Sequence, residues 1–379
     1  MPSQSYLTYR VRGIPEGLSR TSVKELIQKA VGCADGLEFR VKSLAKDLTR
    51  ADQMVATFTL QTPSPNLPEP SGVAEKSYEV LLDAETDIEL VIDTHFYGCT
   101  PLHCPDEEKW RFDLIAISGL NGHAFGSFKK PGAAYMWLRD TLAQDMPESR
   151  IIIYGYDSKL QDSDSFQNVN DIGRKFQHAV REARRNSEKP LVLLGHSLGG
   201  IVIKEALHLM STSTLLEDRE IFSAINGILF FGVPNQGMDI SSLIPMVANQ
   251  ANRGFLHTLE SNSPILRMQA QQYTDAITNL RCDVINFYET KKSPTAQKSD
   301  DGSWAMTGPR AVLVDSYSAT HGRPHDSEHH RVYPIDRAHS DLVKFPNPYD
   351  EAYITVLGYL RSFGIEARNS SGSEVQVAH

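Results

Sequence analysis

Apolar positions along the chain keep switching between two periods. A stretch at 6–14 is followed by Val23, Leu26, Ile27, Ala30 and Val31 at helical spacing, then by strand-like runs at 37–41 and 54–60. Residues 1–61 therefore read as a small β-α-β-β module. Thr62-Pro63-Ser64-Pro65-Asn66-Leu67-Pro68-Glu69-Pro70 can continue neither a helix nor a central strand, which makes 62–75 the expected linker to a second domain over 76–365. That domain opens on a predicted hairpin at 78–82 and 88–92. From Phe112 onward strand-like and helix-like runs alternate, with strands expected at 112–117, 151–154, 191–194, 225–231, 284–288 and 331–335. Such alternation means a mostly parallel sheet flanked by helices. Val169, Ile172, Phe176, Ala179, Val180 and Ala183 form a one-sided helical stripe that packs on it. The last helix is expected to start at Asn347 as N-cap with Pro348 next, to bury Tyr353, Val356, Leu357, Leu360 and Phe363, and to stop at Gly364. Residues 366–379 read as a disordered polar tail.

Composition narrows the class. The 379 residues are 40% hydrophobic and 22% charged, as in ordinary globular chains, and no apolar run approaches the ~18 residues of a membrane-spanning helix. A net charge of −9 gives no overall electrostatic footprint for nucleic acid. Cys33, Cys99, Cys104 and Cys282 are too scattered for a disulfide framework, and the N-terminus shows no secretory pattern, so free thiols and a cytoplasmic location are expected.

The sharpest chemical signal is the apolar strand 191–194 running into Gly195-His196-Ser197-Leu198-Gly199 and then a helical stretch, the pattern of a nucleophile elbow. A serine on a tight strand-to-helix turn stands over a helix N-terminus whose free amides favour a developing oxyanion, with Leu198 N–H as one donor. The fold implied is an α/β-hydrolase fold with a small N-terminal α+β module. Such a serine needs a histidine to take its proton and a carboxylate to orient that histidine, in chain order Ser, acid, His. His339 follows the last expected strand and is the predicted base. Glu289, at the end of the strand before it, is the first choice of acid, and Asp315, at the end of the apolar run 311–314, the second. Ser118-Gly119-Leu120-Asn121-Gly122 is the Gly-rich turn after the first core strand, and Leu120 N–H is the expected second oxyanion donor. His321, His325, His329 and His330, with Asp326 and Glu328, are read as a solvated polar loop; no metal and no cofactor is expected. The amphipathic segment between Gly237 and Cys282 falls where a lid would be inserted, and packing helices are the plainer reading.

Several pieces occur in a familiar order: the run Asp113 to His123, Trp137-Leu138-Arg139-Asp140, Arg150 to Tyr156, Gly195 to Gly200 with Lys204, and Phe287-Tyr288-Glu289. Over about 110–365 the chain resembles the lipase-like serine hydrolases of the serine-active-site-containing family, relatives of GPI inositol deacylases, and most of all their fungal members. The resemblance implies Ser197 as nucleophile, His339 as base and Glu289 as acid. Two departures touch the pocket: Ser118-Gly119 stands where related lipases read His-Gly, and Val233-Pro234-Asn235-Gln236-Gly237 where they read Thr-Pro-His-x-Gly.

The resulting expectation is a serine hydrolase cleaving small-molecule or lipid-like acyl esters through an acyl-enzyme. Two alternatives are a triad-based tailoring enzyme of small-molecule biosynthesis and a non-catalytic adaptor. No nucleic-acid partner is expected, since the strand 54–60 offers only Phe58 for base stacking. The N-terminal module reads as a surface for a protein partner, and an apolar lid as a peripheral membrane contact.

Overall fold

The computed structural model describes residues 6–31, 39–61, 67, 78–83, 88–185, 187–278, 280–322 and 331–372. Two sheets organise them. The N-terminal sheet contains β1 (Leu7–Pro15), β2 (Arg40–Lys46), β3 (Gln53–Leu60), β4 (Tyr78–Asp83) and β5 (Ile88–Asp93), in the order β2-β3-β1-β5-β4. Every pairing in it is antiparallel. The helix Arg20–Val31 lays Val23, Ile27, Ala30 and Val31 on one face, over Tyr9, Val11, Phe58 and Ile92. Phe58 stacks on Tyr9 inside this core and offers no face to a base.

The hairpin β4–β5 corrects the expected domain division. It was assigned to the second domain, but β5 hydrogen-bonds to β1 through Arg10↔Asp93, Val11↔Ile92 and Arg12↔Val91. Alternation along a strand identifies it as a strand and leaves its partner open. The linker 62–75 lies outside the described residues except for the buried Leu67. The strand expected at 37–41 is likewise displaced, to Arg40–Lys46.

The opposite face of the N-terminal sheet carries buried polar groups, Arg10, Ser43, Thr57, Thr59 and Asp93. They are satisfied by one another and by the second sheet: Ser43 pairs with Thr57 at 2.5 Å, and Arg10 holds Asp93 through Nε at 2.9 Å and Nη2 at 2.8 Å. Arg10 Nη1 donates to Tyr97 O at 2.9 Å and Thr100 Oγ1 at 2.6 Å. Burial lowers the Arg10 pKa to about 10 against the opposing pull of Asp93, so Arg10 stays a cation at neutral pH.

The central sheet adds β6 (Gly98–His103), β7 (Phe112–Ile117), β8 (Ser149–Gly155), β9 (Leu191–His196), β10 (Ile225–Phe231), β11 (Asp283–Glu289) and β14 (Val332–Ile335). Its order is β14-β11-β10-β9-β7-β8-β6, parallel except for β6, an unexpected antiparallel edge strand containing Pro101. Helix Val169–Ala183 starts with a capping box between Asn168 and Asp171 and buries the predicted stripe, apart from the half-buried Ala179. Between β11 and β14 a separate antiparallel hairpin, β12 (Ser293–Lys298) and β13 (Trp304–Ala311), stands out from the sheet. The last helix is Glu351–Gly372. Its cap is Asp350, whose carboxylate accepts from Ala352 N and Tyr353 N, whereas Asn347 closes a preceding turn by accepting from Tyr349 N. Gly364 lies within the helix, where an added Cβ would stand 3.4 Å from the Phe112 ring, and the expected disordered tail is helical as far as 372.

Replacing Arg10 with Met leaves the buried Asp93 with only the longer contact to Arg12, at 3.5 Å, as an arginine counter-charge. Loss of one partner of a buried pair costs about 3–5 kcal/mol, so R10M is expected to lower the urea midpoint of unfolding by that equivalent.

Candidate active site

Strand β9 ends at His196 and the helix Leu198–Ser211 begins two residues later, leaving Ser197 alone at the turn with φ +53° and ψ −125°. This backbone is strained for any residue with a Cβ and persists only where its surroundings hold it. Here Ser197 N–H donates to Phe231 O at 2.9 Å and Ser197 O accepts from Gly200 N at 3.0 Å. The loop 118–122 presses on the serine from the other side. A side chain at Gly119 would begin 2.7 Å from Ser197 Cβ, so only glycine fits there.

That loop is held as a built structure. Gly122 N donates to Gly119 O at 3.0 Å, and Asn121, at φ +53°, donates from its backbone to Ser158 O at 2.8 Å. Tyr156 Oη donates to Ser118 O at 3.0 Å and Ser158 Oγ to Gly119 O at 3.3 Å. Burial raises the Tyr156 phenol well above its usual range, so it stays a donor. Among the described residues, neither Leu120 N–H nor Leu198 N–H is spent on a hydrogen bond outside the regular helices and strands.

His339 opens a 3-10 turn, His339–Asp341, just after β14, and is 6% exposed. Its Nδ1 lies 2.5 Å from Glu289 Oε2, while Glu289 Oε1 accepts from Leu313 N at 3.1 Å and Val314 N at 3.3 Å. The carboxylate thus fixes the proton on Nδ1 and leaves Nε2 with its lone pair. Nε2 is buried and makes no hydrogen bond among the described residues. Both peptide groups of His339 are gripped by side chains: its N–H donates to Ser293 Oγ at 2.9 Å and its C=O accepts from His196 Nε2 at 3.0 Å. Ser197 and His339 both pack against the end of β10, with no hydrogen bond from Ser197 Oγ to His339 Nε2. Phe231 O takes the Ser197 amide, and the next residue, Gly232 at φ +54°, has room for no side chain because His339 Cε1 would be 3.0 Å away.

Glu289 therefore stands where the first choice of acid was placed. Asp315 does not reach His339: it is exposed and caps the short helix Ser316–Thr320 by accepting from Ser318 N at 2.7 Å. His196, Ser293, Tyr156 and Ser158 are the positioning groups that sequence reading missed, since each acts on a backbone atom distant in the chain. In the departed loop, Asn235 holds the buried Lys204 ammonium and donates to Ser318 O and Ala319 O. The expected lid segment forms Ile244–Val247, Arg253–His257 and Pro264–Ile277, whose Val247, Leu256, Leu266 and Tyr273 are core residues. Of the histidine-rich loop, His325, Asp326, Glu328, His329 and His330 lie outside the described residues. His321 stacks on Tyr317, and the described residues hold no group of three or more His, Cys, Asp or Glu suited to a metal.

With sheet and elbow in this arrangement, the chain has an α/β-hydrolase fold. A family model described as "Putative serine esterase (DUF676)" matches residues 114–235, which takes in Ser197 and the loop 118–122 and ends before Glu289 and His339. Protein SERAC1 of Homo sapiens is 24% identical over 253 residues, covering 58% of this chain and 36% of its own length. Protein SERAC1 of Danio rerio is 23% identical over 252 residues, with the same two shares of 58% and 36%. The chain thus spans little more than a third of the curated relatives it matches. Among solved structures, the Bacillus licheniformis lipase BlEst2 in propeptide form is similar at 14% identity and TM-score 0.43, over 69% of this chain and 53% of that one. Phospholipase PlaB from Legionella pneumophila in complex with thio-NAD is similar at 16% identity and TM-score 0.36, over 48% and 38%. Likenesses this slight do not bear on substrate.

His196 supplies a pH test of the site. Burial, with His339 beside it, lowers its pKa from 6.5 to about 3, so the folded state stays neutral where the unfolded chain protonates. Stability tied to this group is full above pH 6.5 and is lost as pH falls toward 3, by up to about 1.4 kcal/mol per unit. The His196→Gln variant, which keeps an amide donor but does not titrate, is expected to show a correspondingly flatter acid limb when urea midpoints are measured against pH.

Proposed function

We propose that this chain is a serine esterase of the lipase-like kind, related to the serine-active-site-containing hydrolases and, more distantly, to GPI inositol deacylases. The observation that supports it best is the set of contacts around His339: a buried imidazole with Nδ1 on Glu289, Nε2 unpaired, and the strained Ser197 held one residue away on the same strand end. It supports the reading because a hydroxyl becomes nucleophilic when its proton has an acceptor and the resulting imidazolium a counter-charge, which His339 Nε2 and Glu289 would supply.

In this reading Ser197 Oγ attacks the ester carbonyl as its proton passes to His339 Nε2. The oxyanion is received by Leu198 N–H and Leu120 N–H. His339 then hands the proton to the departing alkoxide, leaving an acyl-enzyme. Water, deprotonated by the same nitrogen, releases the carboxylic acid and restores the serine. The substrate class is an acyl ester, small or lipid-like. Cys99 and Cys104 are free thiols, which favours a reducing compartment such as the cytoplasm, and no described helix is long and apolar enough to cross a membrane.

A fluorophosphonate probe and p-nitrophenyl esters test this directly. Ser197→Ala is expected to abolish labelling, and His339→Ala to lower kcat by about 10³-fold or more. Glu289→Gln should lose about 10²–10⁴-fold while Asp315→Asn stays within about three-fold of wild type, since asparagine caps a helix as well as aspartate does. A folded wild-type protein that neither labels nor turns over any ester would refute the reading and leave an adaptor role in its place.

A further inference from the structure

The turn between β5 and β6 joins the N-terminal sheet to the central sheet, and it also touches the loop beside the nucleophile. Asp93, at the end of β5, is held by Arg10 through Oδ2, and its Oδ1 accepts from Phe96 N at 2.9 Å. Phe96 is fully buried in the left-handed region at φ +56°, between the Arg10 guanidinium and the rings of Phe125 and His123. This leaves the Thr94 carbonyl facing His123, whose Nε2 lies 2.5 Å away. His123 directly follows Gly122, the last residue of the loop 118–122. His123 is an exposed residue, yet both of its ring nitrogens are engaged. Nδ1 accepts from Gly126 N at 2.9 Å and Phe125 N at 3.2 Å, which puts the proton on Nε2, toward Thr94. The backbone N–H of His123 donates to Ser127 Oγ at 3.1 Å.

We propose that His123 is a positioning residue for the oxyanion donor at Leu120: by bridging to Thr94 it fixes the end of the loop 118–122, so that the N-terminal sheet braces the oxyanion site. The inference rests on the serine-esterase reading and gives the N-terminal module a part in that chemistry. The path is continuous, from Arg10 on β1 through Asp93 to Thr94 O, then His123 Nε2, then Gly122. The loop is held separately by Tyr156 on Ser118 O and by Ser158, whose hydroxyl donates to Gly119 O and Gly122 O and whose carbonyl accepts from Asn121 N. Without the bridge the His123 end loses its tie to the N-terminal sheet, and the Leu120 amide is held less firmly at the place where the oxyanion forms. Misplacement of a donor by about 1 Å costs up to ~10²-fold in rate while leaving substrate binding nearly intact.

Two isosteric variants separate the bridge from the turn. His123→Gln keeps a donor at the place of Nε2, within reach of Thr94 O, and gives up the acceptor for Gly126. His123→Asn keeps an acceptor at the place of Nδ1 and gives up the bridge. With a p-nitrophenyl ester, H123N is expected to lose about 10–100-fold in kcat and in fluorophosphonate labelling rate, with KM within about three-fold and an unchanged Tm. H123Q should stay within about three-fold of wild type. Arg10→Lys, which keeps the charge, should lower kcat in the wild-type background and add little to H123N, the non-additivity of two changes on one path. The proposal is overturned if H123N has wild-type kcat, if H123Q falls while H123N does not, or if both fall only in step with Tm. A wild-type protein that neither labels nor turns over takes down the esterase reading itself, and this inference with it.

Discussion

Glu289 is a carboxylate with almost no access to water, and both of its oxygens are committed. Oε2 takes the imidazole of His339 and Oε1 takes the amides of Leu313 and Val314. A charge buried this deeply must be matched by donors from wherever the chain can bring them, because leaving one oxygen unpaired costs several kcal/mol. Three segments distant in sequence therefore have to meet at the end of β11: the turn after β14, the strand end itself, and the stretch after β13. The hairpin β12–β13 follows from this requirement. Its chain leaves the sheet after Glu289 and returns just where the Leu313 and Val314 amides are needed, while Ser293 at its base holds the His339 amide.

Much of this was readable in advance because it depends on local pattern. Fully buried parallel strands give continuous apolar runs, so β7 and β10 stand at their expected bounds and β9 and β11 within a few residues of theirs. The elbow is written in consecutive residues, and chain order leads from it to His339. Glu289 and Asp315 look alike in sequence, each a carboxylate ending an apolar run. They differ in tertiary surroundings: one strand end lies inside the sheet beside β14, and the other carboxylate starts a helix and caps it. The positioning groups were not legible for a related reason. His196 and Ser293 serve backbone atoms of a residue far away in the chain, and neither a periodic pattern nor a motif records such a contact.

The largest departure concerns the N-terminal module, and its cause is chemical. Arg10, Ser43, Thr57 and Thr59 alternate with apolar residues, the usual mark of a strand with one wet face. In the folded chain that face is covered, and its polar groups pair with one another and with Thr100 and Tyr97 of the central domain. A seam of this kind adds less stability per unit area than an apolar one. It does fix the relative placement of the two sheets, because a shifted register leaves buried donors without acceptors. The module's sheet thus has one face under a helix and the other against its neighbour.

The order in which the chain is made gives the arrangement one more property. The N-terminal sheet is closed by strands that all precede residue 94, so it can settle while the remainder is still being synthesised. The central sheet has no such independence. Its serine is translated past the midpoint of the chain, its carboxylate follows 92 residues later, and the imidazole comes 50 residues after the carboxylate, on a turn that follows β14. On the serine-esterase reading a nascent chain carries an unactivated hydroxyl for 142 residues of synthesis, and the means of activating it arrives only when the fold is nearly closed.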